Sequence, residues 1–149
     1  MTVDRSFVEL NRAATERMRA LAARLTDKEM QHKVGEHWTV AIVFVHLAFL
    51  DRRAHYVLDA TEREGRVVNP DYDIFVNDLS LPLWAAIPPR QAATLAIETA
   101  ESLDRRLEAY PIDLLELVHT ERRRYIFRAD HRNEHLDEAE AALRSGAAA

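Results

Sequence analysis

Four stretches of this chain carry apolar residues at spacings of three and four, and only three glycines interrupt 149 residues. That spacing repeats with the turn of an α-helix, so each stretch has one face to bury. In the first, about Asp4 to Leu25, the stripe is Phe7, Leu10, Ala14, Met18, Leu21 and Leu25, with Asp4 or Ser6 as the cap. The second begins after Thr39, a predicted N-cap with Trp38 at the staple position, and runs to about Glu62. Its stripe is Ile42, Val43, His46, Leu47, Leu50 and Ala54. The third runs from Pro89 to about Ala109, marked by Ala92, Leu95, Ala96, Thr99, Leu103 and Leu107. Ile112 to Val118 reads as a short helix of its own. The last long helix is predicted from about Thr120 to Arg144, with Gly146 as its C-cap.

The connections are unequal. Thr26 to Trp38 is polar and reads as a link with at most a turn of helix. Gly65 to Pro89 carries the turn signals Asn69-Pro70-Asp71, Asn77-Asp78 and Pro88-Pro89. About 25 residues is too long for a tight helical hairpin, and its apolar members, among them Phe75, Leu79 and Trp84, imply packing on the body. The expectation is an all-α, single-domain four-helix bundle over 1–149, with a long irregular crossover between helices 2 and 3 that lets them run in the same direction.

Composition narrows function. A net charge of −5 gives no support to nucleic-acid binding, and there is no apolar run of membrane-spanning length. Nor does the start of the chain have a signal peptide's apolar core, so a cytoplasmic location is the expectation. The absence of cysteine excludes disulfides, zinc–cysteine sites and a protein thiol nucleophile. Any metal needs nitrogen or oxygen ligands, and any thiol must come from outside.

His131 and His135, four residues apart in Arg128-Ala-Asp-His-Arg-Asn-Glu-His135, fall about 40° apart on one helix face. His46 interrupts the apolar face of another helix. Alone, each is ambiguous: a buried imidazole usually finds a hydrogen-bond partner, and histidine pairs occur by chance. The pair is also not the His-Glu-x-x-His arrangement of zinc proteases. Together, three imidazoles from two helices can hold a divalent ion, zinc or nickel, and leave a position open. His55 lies half a helical turn away from His46, His32 and His37 read as solvent-exposed, and His119 is a weak candidate.

The segment Trp38-Thr-Val-Ala-Ile-Val-Phe-Val-His46-Leu-Ala-Phe-Leu-Asp51 resembles the signature of the DinB/YfiT-like metalloenzyme superfamily. His131-Arg-Asn-Glu-His135-Leu-Asp-Glu-Ala-Glu-Ala-Ala-Leu143 is similar to that family's ending. The resemblance implies a four-helix bundle with a divalent metal on His46, His131 and His135. It also implies activities such as transfer of low-molecular-weight thiols (bacillithiol, glutathione) or mycothiol-dependent maleylpyruvate isomerisation, and a homodimer. Asp51, Asp130 and Glu134 are candidates to orient an imidazole or move a proton, with Asp51 and Glu134 the predicted catalytic pair. Arg128, one turn before His131, can take an anionic group, although a surface salt bridge is its commoner role. Two classes stay open: a metal-dependent thiol transferase, and a non-catalytic metal-stabilised bundle that binds a ligand or partner.

Overall fold

The computed structural model describes residues 3–148, with side chains to Gly146. Among the described residues the chain is all-α apart from one two-stranded hairpin. Four helices are long: α1 (Phe7–Arg24), α3 (Val40–Glu64), α5 (Pro89–Glu108) and α7 (Ala129–Ala148). Three are shorter: α2 (Asp27–Met30), α4 (Phe75–Ala85) and α6 (Ile112–Glu121). The hairpin pairs β1 (Lys33–Val34) with β2 (Trp38–Thr39) in antiparallel register, Lys33 opposite Thr39. Gly35, at φ +69°, supplies its left-handed residue.

The long helices pack in a ring in the order α1, α5, α3, α7. Their directions follow from which residues meet. Arg12 pairs with Glu108 and Arg19 with Glu101, so α1 and α5 are antiparallel. Arg106 reaches His55 and Glu62, while Ala92 and Ala96 share a core with Val40 to Leu47, so α3 and α5 run the same way. Parallel neighbours need a long connection, which residues 65–88 provide. Asp51 meets Arg128 and Arg132 while His46 meets His135, so α3 and α7 are antiparallel.

The apolar core falls into two clusters. One gathers Met18, Leu21, Phe44, Leu47, Trp84 and Leu136. The other gathers Phe7, Leu58, Leu103, Leu115 and Phe127. Between them along the bundle axis lies a buried polar layer of Asn11, Thr15, Asp51, Asp104, Arg128 and Arg132.

Several local expectations are met and others are corrected. Thr39 caps α3 by accepting a hydrogen bond from Ile42 N at 3.2 Å, and Gly65, left-handed at φ +70°, closes it. Ser6 makes no side-chain cap on α1; Asp4 accepts from Ser6 N at 3.0 Å instead. Leu10 and Leu95, assigned to apolar stripes, are 48% and 44% exposed, and Asn11 occupies the buried position beside Leu10. The crossover is not wholly irregular, because α4 occupies it. The last long helix does not start near Thr120. The chain breaks after α6 into a 3₁₀ turn, Arg123–Tyr125, and only then enters α7. Tyr125, Ile126, Phe127 and Arg128 are all buried in succession. A continuous helix rotates about 100° per residue and would turn some of them to solvent. Nor is Gly146 a C-cap. Helix α7 runs through it, and a Cβ there would lie 2.1 Å from His32 Cε1. Glycine at this point admits the His32 ring, whose Nε2 lies 3.0 Å from the Ala142 carbonyl, so His32 is half-buried and not free in solvent.

Candidate metal centre

Helices α3 and α7 bring His46, His131 and His135 together. One nitrogen from each ring lies within 4.8 Å of the other two. Ring centroids are 4.6 Å apart for His46–His135, 4.7 Å for His131–His135 and 5.2 Å for His46–His131. His46 is buried and the α7 pair half-buried. His55 is far around α3 and faces Arg106, His37 lies beside Glu36 on the surface, and His119 packs near Phe127.

Aromatic rings set the environment. Trp38, from β2, lies 4.8 Å from His46 and 6.0 Å from His135. Trp84, the one buried residue of α4, lies 5.7 Å from His46. The hairpin and the crossover therefore each place an indole against the imidazoles. Of the other crossover aromatics, Tyr72 packs on Phe49, whereas Phe75 is 60% exposed and walls nothing.

These surroundings keep the His46 and His131 rings neutral. Burial, then His135 and Arg128, lowers the His46 pKa to about 3. Burial, with Arg128 next, lowers that of His131 to about 2. Desolvation disfavours the charged ring, and a nearby guanidinium repels it. A metal ligand must carry a free lone pair at neutral pH, so this is the state a divalent ion requires. His46 Nδ1 is buried and has no hydrogen-bond partner among the described residues. Three imidazole nitrogens this close, beside an orphaned one, form a donor set that fits a divalent ion. His135 has an outer partner as well: its Nδ1 lies 3.3 Å from Glu138 Oε2. A carboxylate there accepts the Nδ1 proton and leaves Nε2 as the free donor. Glu138 sits one turn after His135 and escaped the sequence reading, although the spacing of three residues was a signal.

The two predicted catalytic carboxylates lie elsewhere. Asp51 is fully buried, with Oδ1 held by Arg128 Nε at 2.8 Å and Oδ2 by Arg132 Nε at 2.9 Å. Its link to His131 runs through Arg128, whose Nη2 lies 3.5 Å from His131 Nδ1. Glu134 is exposed and 3.5 Å from Arg124, and Asp130 is 3.5 Å from Arg123. No hydrogen bond joins any of the three to a cluster imidazole among the described residues. A helix puts Glu134 and Asp130 about 100° away from their histidine neighbours, which turns them to solvent. Arg128, read as a surface ion pair, is in fact buried.

Arg132, between the two histidines, is also fully buried. Its Nη1 donates to Asp104 Oδ1 at 2.9 Å, Asn11 O at 3.1 Å and Thr15 Oγ1 at 3.2 Å. Thr15 in turn donates to Asp104 Oδ2 at 2.6 Å. One side chain of α7 thus ties α1, α3 and α5, and this fixes the rotation of α7 that aims His131 and His135 inward. The layer holds two carboxylates and two guanidiniums, so its formal charge cancels.

A family profile described as Mycothiol maleylpyruvate isomerase N-terminal domain matches residues 11–120. The chain belongs to this family. The match is consistent with the DinB/YfiT-like resemblance of the histidine segments. It includes His46 and ends before His131 and His135, so the α7 half of the cluster stands on geometry. No curated protein and no solved structure matched the chain.

Proposed function

We propose that this protein is a metal-dependent transferase that joins a low-molecular-weight thiol to a small electrophile. The observation that carries this reading is the convergence of three histidine nitrogens within 4.8 Å. Family membership adds the thiol, since the family's description names mycothiol. His46, His131 and His135 would hold the ion, zinc or nickel, and Glu138 would orient His135. When bound, such an ion supplies Lewis acidity that makes a thiol nucleophilic at neutral pH. The chain has no cysteine, so the thiol comes from solution.

The chain's own residues divide the remaining work. Trp38 and Trp84 exclude water from the buried side of the cluster, which strengthens charge interactions there. On the other side, His131 lines a cleft of about 490 Å³. Access of that kind favours the transferase over a closed structural site. Asp51 acts as a positioning residue through Arg128 and Arg132, and Glu134 as a surface charge. The test is a panel of cellular thiols against a reactive electrophile, with and without chelator, using wild type and His131→Ala. A metal-dependent rate with wild type, absent in a His131→Ala protein of unchanged helicity, supports the proposal. No metal-dependent rate with any thiol moves the assignment to a non-catalytic, metal-stabilised binding protein.

A further inference from the structure

The cleft that opens onto His131 is basic in an otherwise acidic protein. Five arginines line it, Arg53, Arg122, Arg123, Arg124 and Arg128, against one carboxylate, Glu121. Four come from the irregular stretch between α6 and α7 and one from α3. The break in the helix has therefore a second consequence besides burying Tyr125 to Phe127: it turns consecutive arginines into one concavity.

Arg128 is committed to Asp51, but the other four guanidiniums are not used up by ion pairs. Arg53 donates to the Tyr125 hydroxyl and to the Pro70 carbonyl, both neutral. Arg122 donates to the Asn69 side-chain oxygen from Nε at 2.7 Å and from Nη2 at 3.1 Å, with the amide assigned in the orientation that satisfies both groups. Neither has a carboxylate partner among the described residues. Arg123 and Arg124 have one each, at 3.5 Å and largely exposed, and such pairs contribute little. Tyr72 and Tyr125 lie under the Arg53 guanidinium at 5.2 and 5.4 Å and hold it in place. Positioned guanidiniums in a concave site, two without an acidic partner and two only weakly paired, are what recognition of carboxylate or phosphate groups needs.

We propose that this cleft is a subsite for a small, multiply charged anion, bearing carboxylate or phosphate groups, held beside the histidine cluster. The proposal deepens the functional reading above by naming the substrate class of the same site. A singly charged molecule would leave one of Arg53 and Arg122 without a counter-charge, and a neutral one would leave both. A nucleic-acid backbone is a poorer fit, because the net charge of −5 repels a long polyanion.

The test uses the metal-stripped full chain, so that it does not depend on the metal reading. Citrate, inorganic pyrophosphate and acetate are titrated calorimetrically at low ionic strength into wild type, Arg122→Gln and Arg53→Gln/Arg122→Gln. The expected result is binding of citrate or pyrophosphate but not acetate, weakened at least about tenfold in the double variant. The tighter of the two names carboxylate or phosphate as the charged group. Arg122→Gln changes an exposed side chain, so a weaker loss in this single variant keeps the test valid if the double variant misfolds. Absence of binding by both polyanions, equal binding of acetate, or affinities unmoved by the substitutions would overturn the proposal. A failure here with metal binding intact leaves the thiol-transferase reading standing. Anion binding with no metal affinity would retain the cleft and remove that reading.

Discussion

At the scale of single residues, the site depends on how its imidazoles are aimed and on His46 and His131 staying neutral. Glu138 is the sharpest case. Removing its charge while keeping its shape, in Glu138→Gln, weakens the acceptor for His135 Nδ1–H. Loss of an outer-shell partner of this kind costs about 10–100-fold in metal affinity. Competition titration against a chelator would measure it, and an unchanged affinity would show that Glu138 does not orient the ligand. The pH dependence has a definite sign. His46 and His131 have pKa values near 3 and 2 in the folded chain, below the ordinary 6.5. Between those values and 6.5 the unfolded chain binds protons that the folded chain does not. Stability of the metal-free protein is therefore unaffected above 6.5 and falls as the pH drops below it. Asp104 acts in the opposite direction at lower pH, since burial raises its pKa, so the decline is cleanest near the top of the window. Thermal melts across pH 8 to 5, with His46→Gln/His131→Gln as the control, should show the slope in the parent and a flatter one in the variant.

At the scale of elements, the polar layer decides the register of α7. Arg132→Leu removes one partner of a buried network and leaves Asp51 and Asp104 short of a counter-charge. The expected loss is about 3–5 kcal/mol, read as a shift in urea midpoint. A loss under about 1 kcal/mol would show that the layer does not hold the helix. The long helices were legible in the sequence because an apolar period of three and four survives without any knowledge of neighbours. Thr39 and Gly65 were legible for the same reason, since caps and stops are local. Arg132 was not. Nothing local distinguishes an arginine in solvent from one whose partners, Thr15, Asp51 and Asp104, sit on three other helices. The break at 122–128 was hidden in the same way, because burial of Tyr125 to Arg128 depends on what α1 and α3 offer them. His46, His131 and His135 could be singled out from spacing and resemblance, but their convergence needed the antiparallel packing of α3 on α7.

At the scale of the whole molecule, no helix among the described residues is long and apolar enough to cross a membrane. Helix α4 nevertheless exposes Phe75, Leu79 and Leu83, with Ile74 before it, at 60–76%. An apolar ridge of this kind on the crossover is suited to pairing with a second copy, and a homodimer remains our proposal. Light scattering at micromolar concentration should give about twice 17.1 kDa, and Leu79→Glu/Leu83→Glu should return it to the monomer mass. A monomer at all concentrations would remove the proposal.

The central claim is that α3 and α7 build one three-histidine metal site. The direct measurement is elemental analysis of the full chain purified without added metal, beside His46→Ala, His131→Ala and His135→Ala. The account predicts about one divalent ion, zinc or nickel, per wild-type chain, and its loss in each variant while the circular dichroism stays helical. Wild type that takes up no divalent ion even when it is supplied, or variants that keep the ion, would contradict it.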